Sequence, residues 1–316
     1  MTEIKSAIED FILYCKHEKK LSTKTQKFYT IDLTQFLQFL TKENYQLEIK
    51  QIDKTVIRLY LYNMSEFKPT TIKRKIATLK AFFNFLEFED KILFNPFRKM
   101  RIKIKDEKKL PSVMNLREIT IILKKAYEYN KQLGQVEGFA YCESIRNIVV
   151  IELLFSTGAR VSEIANLRIE NIQLDTGSFL IKGKGNKERI IQVCNKESLS
   201  LLKKYYTLFK DNINKAGGYF LINRFNKKLS DQSIRGIVKK LAIKAGILRQ
   251  ITPHVFRHSF ATLLLEKDVD IRYIQILLGH SSILTTQLYT HVSRKKQRQI
   301  LTTKHPRKDI IVVPIE

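Results

Sequence analysis

The sequence predicts a mainly α-helical protein with one small antiparallel β-sheet, divided into an all-helical N-terminal domain and a mixed α+β C-terminal domain. Three observations carry this expectation. Apolar residues recur at helical spacing along most of the chain, and three short β-branched runs separated by glycine-bearing turns lie together between positions 172 and 193. In addition, 316 residues are too many for one ordinary domain and suit two.

The first hundred residues read as four helices. Ile4, Ile8, Phe11, Ile12 and Cys15 form one apolar stripe, and Tyr29, Leu33, Phe36, Leu37 and Leu40 form the next. Asp53 is placed to cap a third helix carrying Val56, Ile57, Tyr60, Leu61 and Met64. The fourth starts at Pro69, suited to a first helical turn, and presents Ile72, Ile76, Leu79, Phe82, Phe83 and Leu86 to a core. Residues 1–97 are therefore assigned to an N-terminal helical domain.

Residues 98–111 are rich in Lys and Arg, lack helical periodicity and end at Pro111, which predicts an extended basic linker. A second domain is expected over 112–303. Helical patterns cover Asn115 to Leu133 and Cys142 to Phe155, and a short helix is expected after Gly158. Ile172 to Leu174, Phe179 to Ile181 and Ile190 to Val193 read as three antiparallel strands. Further helices are expected at 196–210, 230–245, 253–267, 270–278 and 282–289, with a short continuation over 292–303. Residues 304–316 read as a C-terminal tail whose apolar end, Ile310 to Ile315, seeks either its own domain or a partner's groove.

Fifty-seven basic residues against 31 acidic ones give a formal charge of +26 and imply a polyanionic partner, with nucleic acid the first candidate. Residues 1–110 hold 23 Lys and Arg against 14 Asp and Glu, so both halves are basic, as suits a clamp around DNA. Three widely spaced cysteines, Cys15, Cys142 and Cys194, argue against a disulfide framework or a zinc site. No apolar run is long enough to cross a membrane, and Thr2-Glu3 after Met1 is unlike a secretory leader, so no membrane partner is expected.

Arg160, Lys184, His254, Arg257 and His280 are cationic donors able to surround one phosphate, and Tyr289 follows nine positions after His280 as an oxygen nucleophile. Arg160 is expected at a helix start, where unpaired N–H groups and the helix dipole favour an anion, with Glu163 bracing its guanidinium from three residues on. Thr252 and Pro253 predict an N-cap and first-turn proline, which puts His254 in the opening turn and Arg257 on the same side. His258 is expected to point elsewhere as a supporting histidine. Lys184 falls in a glycine-flanked hairpin turn between two strands. Lys68, Lys73, Arg74, Lys75 and Lys80 on the fourth helix, with Lys103 and Lys105 on the linker, are the candidate DNA contacts. No Walker loop and no carboxylate cluster for magnesium is present, so no metal or other cofactor is expected.

The motifs Thr157-Gly158-Ala159-Arg160-Val161-Ser162-Glu163, Gly183-Lys184-Gly185-Asn186-Lys187-Glu188-Arg189, His254-Val255-Phe256-Arg257-His258, Leu278-Gly279-His280-Ser281 and the later Tyr289 together resemble the tyrosine recombinase (phage integrase) family, most closely its Xer branch. The resemblance implies a SAM-like, four-helix core-binding domain and an α+β catalytic domain. It implies nucleophilic attack by Tyr289, a 3′-phosphotyrosyl intermediate, Lys184 as general acid toward the 5′ oxygen, and four protomers joined on paired double-stranded DNA sites through a Holliday junction. A terminal tail docking on a neighbouring protomer, a partner recombinase or accessory translocase, and a cytoplasmic, nucleoid-associated setting also follow from it. Two other readings share the chemistry or the fold: a type IB topoisomerase-like DNA-relaxing enzyme, and a noncatalytic DNA-binding protein.

Overall fold

The computed structural model describes residues 3–45, 47–105, 112–134, 138–183, 188–279 and 294–311, with only the backbone described over 294–297. The chain separates into two compact units, Met1–Lys109 and Leu110–Glu316.

The first unit holds α1 (Ile4–His17), α2 (Thr23–Lys42), α3 (Lys54–Asn63) and α4 (Pro69–Phe88). Ser22 and Asp53 accept backbone N–H groups at the starts of α2 and α3, and Pro69 occupies the first turn of α4. The four apolar stripes meet in an aromatic core, where Phe11, Phe36, Phe82 and Phe83 are all buried and the Phe11 and Phe82 rings meet edge to face at 5.5 Å.

A polar cluster of Asp32, Lys75 and Thr78 is buried in this unit. Asp32 of α2 accepts hydrogen bonds from Thr78 at 2.9 Å and from Arg74, and lies 3.7 Å from the Lys75 ammonium. Lys75, 3% exposed, also donates to Gln35, and its burial lowers its pKa. The expectation that Lys75 is a DNA contact is thereby corrected. Its ammonium is turned inward because the buried Asp32 carboxylate needs a countercharge. Arg74 is half-exposed, tied to Asp32 and set 5.1 Å over the Phe28 ring, while Lys68, Lys73 and Lys80 face solvent.

After a 3-10 turn at Pro96–Lys99, the chain alternates. Met100, Ile102 and Ile104 pack partly buried against the helical core, whereas Arg101, Lys103 and Lys105 are exposed. In the segment expected as an extended basic linker over 98–111, apolar alternation anchors the first half and presents its charges on one side. Residues 106–111 lie outside the described residues.

The second unit contains α5 (Leu116–Gln132), α6 (Phe139–Thr157), α7 (Val161–Ala165), strands β1 (Ile172–Gln173), β2 (Ser178–Lys182) and β3 (Glu188–Gln192), then α8 (Lys196–Lys215), α9 (Asp231–Lys244), α10 (Pro253–Glu266), α11 (Ile271–Leu278) and α12 (Arg294–Lys304). An Asn115–Glu118 capping box starts α5. The central helix is α6, whose residues from Ile148 to Thr157 are all buried. The sheet is antiparallel in the order β1-β2-β3, with Phe179 opposite Ile191 and Ile181 opposite Arg189. Gly177, at φ 68°, closes the first turn; a Cβ there would lie 2.3 Å from the Val193 carbonyl oxygen.

The first half of the stretch expected as a tail packs on its own unit. His305 caps a 3-10 turn at Pro306–Asp309, and Ile300, Leu301, Arg307 and Ile310 are buried. Arg307 forms a buried ion pair with Glu152 of α6, so residues 304–310 are built into their own unit. Residues 312–316 lie outside the described residues.

Candidate active site

Helix α6 ends at Thr157 because Gly158 takes the left-handed conformation at φ 56°. The chain then turns sharply, and Thr157 Oγ1 accepts the Ala159 N–H at 3.2 Å. Arg160 follows as the residue just before α7. Its Nη1 donates to Glu163 Oε1 at 2.8 Å, as the three-residue spacing predicts, and its backbone N–H donates to Glu163 Oε2 at 2.8 Å. The helix it opens, α7, has only five residues, and the Arg160 N–H is capped by the chain's own carboxylate. What faces outward is the guanidinium, 37% exposed.

Thr252 accepts the Val255 N–H and Pro253 opens α10, so His254 lies in the first turn and Arg257 three residues on. Arg257 is buried. Its Nη1 donates to the Gly158 carbonyl and its Nη2 to the Leu278 carbonyl, both at 2.8 Å, binding three motifs that are remote in sequence. Burial, followed by repulsion from Arg160 and Arg189, pushes its pKa down to about 10, against the opposing pull of Glu163. It remains a cation at neutral pH in a crowd of cations, a setting in which an incoming phosphate supplies the missing countercharge.

His254 is solvent-facing. Desolvation of its ring, then the positive neighbours Arg235, His258, Arg257 and Arg160, hold its pKa below the ordinary imidazole value. A neutral imidazole at pH 7 is able to accept a proton. His258 turns away from buried Arg257, as expected, yet stays on the His254 side because i and i+4 share a helix face. It is among the charges that lower the His254 pKa.

Lys184, His280 and Tyr289 lie outside the described residues. The framework on either side of them is described. Lys182 and Glu188 are paired across the hairpin, with Nζ 3.7 Å from Oε1, which commits Lys182 to the hairpin stem. Gly279, left-handed at φ 65°, ends α11 immediately before His280.

Two residues without an assigned role in the sequence reading belong to this neighbourhood. Arg235 of α9, a helix packed against α7, is among the charges that depress His254. Arg189 of β3 donates Nη2 to Glu163 Oε2 at 2.8 Å and Nε to the Leu277 carbonyl at 2.8 Å. Nothing in local spacing marks Arg235; Arg189 stands inside a quoted motif, but its partners lie 26 and 88 positions away. Among the described residues no group of three or more His, Cys, Asp or Glu side chains is arranged to hold a metal ion, and no helix is long and apolar enough to cross a membrane.

A helical N-terminal unit is joined to a mixed unit that gathers arginines and a neutral histidine from separate motifs, and the chain belongs to the phage integrase family. The family's catalytic domain matches residues 123–296, and its N-terminal SAM-like domain matches residues 8–90. The chain is 42% identical to a tyrosine recombinase of Agathobacter rectalis, with 98% of this chain and 99% of that protein covered. It is 34% identical to the tyrosine recombinase XerD of Oceanobacillus iheyensis, with 95% and 98% covered. It is thus a tyrosine recombinase, an enzyme that cleaves and rejoins DNA, with Xer-like relatives. Its fold is shared with XerH site-specific recombinase in a post-cleavage complex with a palindromic difH substrate (TM-score 0.68, 23% identity, 94% of this chain and 84% of that one). It is shared also with a lambda integrase tetramer bound to a Holliday junction (TM-score 0.64, 17% identity, 90% and 76%).

Proposed function

We propose that this chain recombines DNA at specific sites, with Arg160, Lys184, His254, Arg257, His280 and Tyr289 as its catalytic set. The observation that carries this reading is the convergence of Arg160, Arg257 and a neutral His254, drawn from motifs almost a hundred positions apart, on one crowded cationic locus. The Tyr289 phenol oxygen bonds to the scissile phosphorus and the bond from phosphorus to the 5′ oxygen breaks, leaving a 3′-phosphotyrosyl link and a 5′-hydroxyl. The phenolic proton passes to His254, and Lys184 protonates the departing 5′ oxygen. Arg160 and Arg257, with His280, balance charge on the nonbridging oxygens. The linkage conserves the phosphodiester, so rejoining proceeds by the reverse displacement from a 5′-hydroxyl of another strand.

In this reading residues 1–97 contact double-stranded DNA through Lys68, Lys73, Arg74 and Lys80, the linker adds Lys103 and Lys105, and residues 112–303 carry the chemistry. The difH complex of XerH and the Holliday-junction tetramer of lambda integrase support DNA as the partner and a tetramer on paired sites as the working assembly. The setting is the cytoplasm, where chromosomal DNA resides.

A nicked duplex carrying the cognate site tests the reading, because loss of the short fragment below the nick traps the covalent intermediate. Wild type forms a denaturant-resistant protein–DNA adduct, and Tyr289→Phe binds the duplex without forming it. An adduct from the substituted protein overturns the nucleophile assignment.

A further inference from the structure

We propose that Arg189 is a positioning residue for strand cleavage, holding Glu163, and through it Arg160, in register with the end of α11. The inference rests on the function proposed above and adds to it a residue that touches no substrate.

Every terminal nitrogen of Arg189, and its Nε, is engaged. Nη1 and Nη2 reach the two carboxylate oxygens of Glu163 at 3.2 and 2.8 Å, and Nε reaches the Leu277 carbonyl at 2.8 Å. The side chain is 11% exposed, so little of it faces solvent. Glu163 in turn divides each oxygen between two donors: Oε1 takes the Nη1 groups of Arg160 and Arg189, and Oε2 takes the Arg160 backbone N–H and Arg189 Nη2. Burial alone raises the pKa of this carboxyl, but Arg189 first and then Arg160 outweigh burial and hold it low, so it stays ionised. A carboxylate shared in this way fixes Arg160 more tightly than a lone i,i+3 surface pair would.

The other end of the Arg189 fork sets α11. The last carbonyls of a helix have no partner within it, and here Leu277 O is taken by Arg189 and Leu278 O by Arg257. Two guanidiniums thus clamp the negative end of α11 against the motifs carrying Gly158 and Glu163. Gly279 completes the fit. A Cβ there would sit 3.2 Å from Arg189 Cδ and Nη1, at a φ of +65° that a side chain would already strain. The strand bearing Arg189 therefore joins the Arg160 turn to the point where the chain leaves α11, a connection that only a planar, multi-donor side chain makes.

The test uses the full chain, nicked duplexes with the ordinary scissile phosphate, and matching duplexes with a methylphosphonate in its place, which carries no nonbridging charge. Arg189→Lys and Arg189→Met are expected to bind the duplex within about threefold of wild type and to slow adduct formation on ordinary DNA by about 10- to 100-fold, the scale of an ångström-sized misplacement. On the methylphosphonate duplex the defect shrinks, because less is asked of Arg160. Combining Arg189→Met with Glu163→Gln adds little to either alone, since both act through one link. Equal slowing on both duplexes, in step with lost thermal stability, assigns Arg189 a merely structural role and overturns the proposal, as does an unchanged rate on ordinary DNA. Wild type forming no adduct, or Tyr289→Phe forming one, would instead overturn the proposed function.

Discussion

Arg307 Nη2 lies 2.8 Å from Glu152 Oε1 across 155 positions of sequence, with both side chains essentially excluded from solvent. Tyr127 OH and Ser198 Oγ also donate to Glu152, each at 2.9 Å, and Arg307 further reaches Glu197 and the Ile310 carbonyl. The pair fastens the stretch after α12 to the central helix α6. Arg307→Met should lower stability by about 3–5 kcal/mol, because it leaves a buried carboxylate without its cation. Adding Glu152→Gln should recover part of that loss in urea denaturation. A double variant as unstable as the sum of the single ones would contradict the coupling.

His305 gives the same region a pH dependence. Burial keeps its imidazole neutral and pushes its pKa down to about 4 from the ordinary 6.5, while Nδ1 accepts the Arg307 N–H at 2.9 Å. Between those values the unfolded chain binds a proton that the folded ring refuses, so stability rises with pH across the window and is lost as pH falls through it. The slope from this one group approaches about 1.4 kcal/mol per pH unit. His305→Asn keeps an acceptor for the Arg307 N–H without titrating, and melting temperatures of the two proteins between pH 4 and 7 should converge on the acid side. Parallel curves would remove His305 as the source.

Gly158 is required on two counts. Its φ of +56° strains any side chain, and a Cβ would lie 2.6 Å from the Phe260 ring. Gly158→Ala should destabilise the protein by more than about 1 kcal/mol and displace the carbonyl that holds Arg257. The stability loss is read by denaturation and the displacement by slower adduct formation at temperatures where the variant is folded. Wild-type cleavage and stability in this variant would contradict both.

The inward turn of Lys75 separates two kinds of lysine on one helix. Lys80→Ala should weaken DNA binding and reduce the slope of log affinity against log salt by about 1, as for loss of one phosphate contact. Lys75→Met should leave that slope unchanged while lowering stability, since Asp32 loses a partner. Titrations of labelled duplex over a range of salt concentrations, with circular dichroism as a folding control, distinguish the two. A lower slope for Lys75→Met would place its ammonium on DNA.

Much of this protein is determined by short stretches of sequence read alone. Apolar periodicity, the Asp53 and Thr252 caps, the first-turn prolines Pro69 and Pro253 and the chain-reversing glycines Gly158 and Gly279 act within four residues or so of themselves. The bracing of Arg160 by Glu163 is equally local, one helical turn apart. Tertiary structure alone decided the inward turn of Lys75, the docking of Arg307 and the work of Arg189. Each is a long cationic side chain whose direction is set by a carboxylate or carbonyl supplied from another element, 43 to 155 positions away for Lys75 and Arg307 and 26 to 88 for Arg189. Sequence fixes where such a charge is attached, but the cost of burying its partner unpaired decides where it points.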